Sequence, residues 1–156
     1  MKVVQGDLIK MAKDGEFSLI AHGCNCFHTM GSGIAQTVKK EFPEAFIADQ
    51  GTLHGDKNKL GSCSYCMIPE FVSTVRHTPL LVVNAYTQYS FGGDEVHVDY
   101  DAVRSCMKWL KLNYPHQIIG LPKIGAGLGG GDWDLISKII DEELVGEDVT
   151  LVEFVQ

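Results

Sequence analysis

The chain alternates short apolar runs with stretches in which apolar residues return every three or four positions, and glycine-rich segments stand at many of the joints. Lys2–Gln5 predicts a first strand, ended by Gly6-Asp7. Phe17–Gly23 (FSLIAHG) predicts a buried strand, followed by the loop CNCFHTMGSG. Ile34, Ala35, Val38 and Phe42 then recur at helical spacing. Pro43 can open the next helix at its first turn, through Phe46 and Ile47. His54–Lys59 (HGDKNK) predicts a loop. Ser62–Ile68 and Phe71–Val75 predict two strands, and Thr78-Pro79 a turn before the strongly apolar strand Leu80–Tyr86.

Thr87–Asp94 is an aromatic and glycine-rich loop, after which Asp99 or Asp101 can cap a helix burying Val103, Met107 and Leu110. Gln117–Pro122 predicts another strand, then the loop IGAGLGGGD. The last helix puts Trp133, Ile136, Ile140 and Leu144 on one face, and Val149–Val155 closes as a final strand. Strands alternating with helices predict an α/β fold: a mixed or mostly parallel sheet with helices on both faces. No repeat, low-complexity tract or linker interrupts the pattern, so residues 1–156 are read as one domain.

Composition narrows the function. Hydrophobic residues at 45% and charged ones at 21% are ordinary globular usage. The longest apolar runs fall short of the ~18 residues of a membrane span, and the amino-terminal residues lack a signal-peptide pattern. A soluble, cytoplasmic protein without a membrane partner is expected. The net charge of −7 argues against a nucleic-acid partner, whose binding draws on Lys and Arg. A small anion stays open, because backbone N–H groups at a helix N-terminus hold phosphate without basic side chains. The five cysteines, an odd number, read as free thiols. Cys63 and Cys66 lie three apart on a predicted strand and so point to opposite faces, which disfavours a shared metal.

Two loops carry the candidate chemistry. Met30-Gly31-Ser32-Gly33 leads into one helix N-terminus, and Gly125-Ala126-Gly127-Leu128-Gly129-Gly130-Gly131 leads into another. Both follow strands, and in open α/β sheets ligands bind beyond the strands' carboxyl ends. Each alone could be a tight turn; as a pair they suit a diphosphate gripped from both sides. Gly125-x-Gly127-x-x-Gly130 satisfies the Rossmann pattern literally but opens the last helix, with no second mononucleotide half to follow. A P-loop would need Lys and Ser/Thr where this loop ends Gly131-Asp132-Trp133.

Four segments together resemble the macrodomain family, which binds ADP-ribose in a three-layer fold. Gly6-Asp7-Leu8 is similar to the family's Gly-Asp-Ile/Leu, whose Asp bonds the adenine amino group; Asn25 through Ala35 resembles its loop for the distal ribose and diphosphate. Leu121-Pro122-x-Ile124-Gly125-x-Gly127 resembles its second phosphate loop, and Phe154 matches a position that often stacks on adenine. Leu19–Cys26 and Ser90-Phe91-Gly92-Gly93 look like the branch holding the yeast ADP-ribose-1″-phosphate phosphatase and the human terminal-ADP-ribose hydrolase. Where the lysine-dependent hydrolases, including those acting on DNA, place a Lys and an Asp, this chain has Gln88 and Gly129, which removes Schiff-base chemistry.

The resemblance implies hydrolysis at the distal ribose, with ADP-ribose 1″-phosphate the favoured substrate and neither metal nor cofactor required. The alternatives are a hydrolase for other acceptors and a non-catalytic reader of ADP-ribosylated partners. Expected ligand contacts are Asp7, Leu8, Asn25, Met30, Gly31, Ser32, Gly33, Ile34, Gly125, Ala126, Gly127, Leu128, Gly129 and Phe154. His22 is read as acid/base, against a hydrogen-bonded core histidine. Asp132 is read as a second catalytic residue, against a helix cap. Asp7 and Asn25 could be merely a cap and a turn residue, His28 ranks below His22, Trp133 reads as core, and Tyr89 and Phe91 as covers for the distal ribose.

Overall fold

The computed structural model describes residues 1–154. The chain runs β1 (Lys2–Gly6), α1 (Leu8–Lys13), β2 (Leu19–Cys24), α2 (Gly33–Glu41), α3 (Pro43–Gln50), a 3-10 turn at Lys57–Lys59, β3 (Cys63–Val72), β4 (Pro79–Tyr86), α4 (Tyr100–Asn113), β5 (Ile118–Leu121), α5 (Trp133–Glu143) and β6 (Asp148–Phe154). The strands form one sheet in the order β1-β6-β5-β2-β4-β3, with β3 antiparallel to β4 and every other pairing parallel. Parallel pairing brings the carboxyl ends of β1, β6, β5, β2 and β4 to one edge, where the connecting loops gather.

Alternation along the strands divides the core into two layers. Leu19 and Ala21 of β2, with Leu81 and Val83 of β4, pack under α4 (Val103, Met107, Leu110) and α5 (Ile136, Ile140). Ile20 and Val82, from the intervening positions, pack with α1 (Leu8, Ile9, Ala12), Val38 of α2 and Ala45 of α3. The architecture is thus the three-layer, mixed-sheet α/β fold that the pattern predicts. Trp133 packs against the first layer. Cys63 packs with that layer and Cys66 with the other, on opposite faces as their spacing requires.

Two details differ from the sequence reading. Leu8–Lys13 is a helix, unmarked by a long periodic run but capped by Asp7. The two strands expected at Ser62–Ile68 and Phe71–Val75 are one edge strand, β3, whose pairing shifts between Ile68 and Val72 around Pro69. An edge tolerates the N–H that proline lacks, so the chain continues. The final strand is observed through Phe154, and Val155 lies outside the described residues. Of the two candidate caps for α4, Asp99 accepts from Ala102 N at 2.9 Å. Among the described residues, no helix is long and apolar enough to cross a membrane.

Candidate functional site

A groove crosses the carboxyl edge of the sheet as three neighbouring cavities. The first, about 640 Å³, lies among Asp7, Leu8, Ile34, Val152 and Phe154. The second, about 290 Å³, lies between the start of α2 and the loop Lys123–Gly129. The third, about 350 Å³, is walled by Asn25, Thr29, Ser32, Gln88, Phe91 and Gly92. Gly33, Ile34, Pro122 and Lys123 line both the first and the second. Gly23, Ser32, Ala35, Gln88 and Leu128 line both the second and the third. Shared walls set the three cavities side by side, with the second in the middle.

The middle cavity is built of main-chain donors. Ser32 caps α2 without a side-chain hydrogen bond, and the first helical bond runs from Gln36 N to Ser32 O. The amides of Gly33, Ile34 and Ala35 therefore have no acceptor among the described residues and carry the positive end of the helix dipole. Opposite them, Gly127, Leu128 and Gly129 likewise donate to no described acceptor. A Cβ on Gly127 would meet nothing within 4 Å. Gly33 holds φ +60° and Gly125 φ +75°, the left-handed region that favours glycine.

The first cavity is an apolar slot with a carboxylate at its rim. Asp7 Oδ1 accepts from Ile9 N at 3.1 Å and Lys10 N at 3.2 Å, while Oδ2 has no described partner. Phe154 is 70% exposed at the end of β6, beside Gly6 at the end of β1. Lys123 and Glu153, on the same rim, pair with each other at 3.7 Å.

No charged side chain lines the third cavity among the described residues. Asn25 shapes its wall as a turn residue: Oδ1 accepts from Phe27 N at 2.8 Å, and Nδ2 donates to Thr29 Oγ1 at 2.6 Å. Cys24 also belongs to this wall, and burial pushes its thiol pKa well up, so it stays protonated. Gln88 lies between the second and third cavities, with Oε1 3.0 Å from where a Cβ on Gly129 would stand. Its amide Nε2 donates to Ser90 O at 2.8 Å.

Several expected site residues lie elsewhere. His22 is 1% exposed and lines none of the three cavities. It shares a face of β2 with Ile20, which turns it under α2 and α3. Asn84 Nδ2 donates to Ala45 O and Ser64 Oγ, so its Oδ1 is left to accept from His22 Nε2–H at 2.7 Å. Burial lowers the His22 pKa, against the opposing influence of Asn84 and Asp49. Cys24 Sγ stands 3.6 and 3.8 Å from the two ring nitrogens. The position is that of a hydrogen-bonded core histidine.

Asp132 is the exposed cap of α5, accepting from Asp134 N at 3.0 Å, and it lines none of the three cavities. Met30 is 1% exposed and its side chain packs in the α1–α3 layer. Ala126 packs against the α4–α5 layer. His28, at φ +58°, turns to Thr52 Oγ1 at 3.1 Å. Tyr89 packs edge-on to Phe27 and donates to Gly55 O at 2.8 Å, leaving Phe91 as the aromatic on the third cavity. Thr29, Gln88 and Pro122 join the groove; Gln88 and Pro122 follow the ends of β4 and β5 closely, and that position was their signal, while Thr29 lies further along the loop after β2.

No model of a known protein family matches the chain. It is 36% identical over 159 residues to an uncharacterized 17.5 kDa protein of Enterobacteria phage T4, covering 99% of this chain and 96% of the relative. It is 27% identical to the ADP-ribose 1″-phosphate phosphatase of Candida albicans, over 91% of this chain and 92% of that one. Among solved structures, the macrodomain of Thermus aquaticus DarG superposes with a TM-score of 0.70 at 21% identity, covering 99% of this chain and 97% of its own.

Proposed function

Because the chain belongs to the macrodomain family, we propose that its groove binds ADP-ribose. Adenine occupies the first cavity, the diphosphate the second, and the distal ribose the third. The observation that carries this reading is the unpaired amides of Gly33–Ala35 facing those of Gly127–Gly129, with an apolar slot at one end and a polar, uncharged pocket at the other. Amides and a helix N-terminus suit a diphosphate in a protein of net charge −7. Asp7 Oδ2 is free to accept from the adenine amino group while Oδ1 keeps the helix cap.

The reaction proposed is hydrolysis of ADP-ribose 1″-phosphate to ADP-ribose and phosphate, supported by the likeness to the fungal phosphatase. With His22 buried and outside the three cavities, catalysis rests on positioning and on N–H donors rather than on a buried imidazole base. The uncharged third cavity favours a second reading, a binder of ADP-ribosylated partners that turns nothing over. Calorimetric titration with ADP-ribose, run beside phosphate release from ADP-ribose 1″-phosphate, separates the two. Binding with release supports the phosphatase, and binding without release supports the reader. No binding at millimolar ligand removes both.

A further inference from the structure

The groove is short of charge. Among the described residues that line its three cavities, the charged side chains are Asp7, Glu153 and Lys123, and Lys123 is the one cation. It follows Pro122 after β5 and lines both the first and the second cavity, so it stands where the adenine slot gives way to the diphosphate cavity. The remaining walls of the second cavity are glycines, apolar residues, Ser32 and Gln88. Their amides supply partial charges only, and the full charge comes from Lys123.

That cation faces Glu153, and the pair is loose. Lys123 Nζ stands 3.7 Å from Glu153 Oε2, beyond the ~2.7–3.2 Å of a hydrogen bond, with the side chains 47% and 39% exposed. Elsewhere on the surface Lys13 reaches Glu41 at 2.6 Å and Lys2 reaches Asp148 at 3.1 Å. A half-exposed pair at the longer distance contributes little to stability, so opening it costs little. The four-carbon stem of lysine also lets the ammonium swing without moving the backbone. Glu153 lines the first cavity and not the second. A diphosphate in the second cavity therefore approaches Lys123 from the side away from its present partner.

We propose that Lys123 exchanges partners on binding: its ammonium leaves the Glu153 carboxylate for the phosphate on the adenosine side of the diphosphate. The proposal rests on the ADP-ribose reading of the groove. A diphosphate carries more negative charge than one carboxylate, so the exchange runs towards the ligand. Glu153 is then a competitor of the ligand, because it holds the lysine back and repels the incoming phosphates. Affinity is set by both members of the pair, with opposite signs.

The test measures ADP-ribose affinity by calorimetry for the parent, Lys123→Met, Lys123→Arg, Glu153→Gln and the double variant Lys123→Met/Glu153→Gln, with melting beside each. Both side chains are partly exposed, so every variant is expected to melt close to the parent. Lys123→Met is expected to bind about five- to tenfold more weakly with a flatter salt dependence, and Lys123→Arg to stay within about threefold of the parent. Glu153→Gln is expected to bind about threefold more tightly. In the Lys123→Met background the same change gains less, because no ammonium is released. Unchanged affinity in Lys123→Met overturns the proposal, as does a Glu153→Gln variant that binds no tighter than the parent. An equal gain from Glu153→Gln in both backgrounds overturns it too, since the two residues would then act independently. These outcomes leave the groove's ligand in place; a parent that fails to bind millimolar ADP-ribose removes the reading of the groove, and this proposal with it.

Discussion

Leu128 Cδ1 stands 3.3 Å from where a Cβ on Gly33 would sit, so the second glycine loop closes on the first at a point where a hydrogen fits and a methyl crowds. Leu128 is otherwise 69% exposed and belongs to both the second and third cavities. The contact brings the two glycine loops together where both line the middle cavity.

Gly127 and Gly33 therefore separate binding from folding. Gly127 has open space where a side chain would go and is not left-handed, so Gly127→Glu is expected to melt like the parent while a carboxylate in the middle cavity repels the diphosphate. Gly33→Glu adds left-handed strain of about 1–3 kcal/mol and the Leu128 collision, so it loses stability as well as affinity. Normal ADP-ribose affinity in Gly127→Glu would mark that loop as a turn only.

Asp7 holds a helix cap with one carboxylate oxygen and offers the other to the groove. Asp7→Ser keeps a capping oxygen, so its melting is expected to stay close to that of the parent, whereas Asp7→Ala loses about 1 kcal/mol. Both are expected to bind ADP-ribose more weakly, and micromolar affinity, about −8 kcal/mol, is expected of the parent. Equal affinity in Asp7→Ser removes the adenine contact.

His22 makes stability depend on pH. Its pKa is lowered in the fold from the ordinary 6.5, so below that value the unfolded chain takes up a proton that the native chain resists. The contribution is complete above about pH 6.5 and is lost as pH falls toward the depressed folded value. Melting curves from about pH 7 to 5 should show the loss, and His22→Gln should lack that component. His22→Ala strands Asn84 Oδ1 and leaves a cavity, for an expected loss of about 2–4 kcal/mol. Ligand affinity per folded molecule should stay within a few fold, and a selective collapse of turnover at full stability would return the histidine to the chemistry.

Asp132→Ala tests the other reassignment. Loss of the α5 cap is expected to lower stability by about 1 kcal/mol, with ADP-ribose affinity and any phosphate release unchanged. A drop in turnover alone would contradict the cap reading.

Strand and helix alternation, both glycine loops and the positions of Asp7 and Phe154 could be read from the sequence because each depends on local pattern. What could not be read was direction. Periodicity puts His22 on a strand, but which layer it faces depends on the register of β2 with β4 and on Asn84, 62 residues away. Asp132 follows a glycine run whether it caps or catalyses, and only the path of the loop separates the two. Pro69 marked an apparent break that the edge position of β3 makes harmless.

The outermost strand gives the groove one more property. Lys2–Gln5 of β1 are exposed, and among the described residues the strand is paired on one side only, to β6. Its far end carries Asp7 and the neighbouring β6 ends in Phe154, so a nucleobase lodged between them would pin the two strands together at their tips. An edge strand of this kind opens locally at little free energy, and a ligand that binds only the closed form suppresses that opening. Amide hydrogen exchange at those N–H groups of β1 that bond to β6, every second one along the strand, should then slow when ADP-ribose is added, while exchange in β2, already buried between two neighbours, hardly changes. The one-sided pairing that leaves β1 open to local fraying makes it a reporter of occupancy.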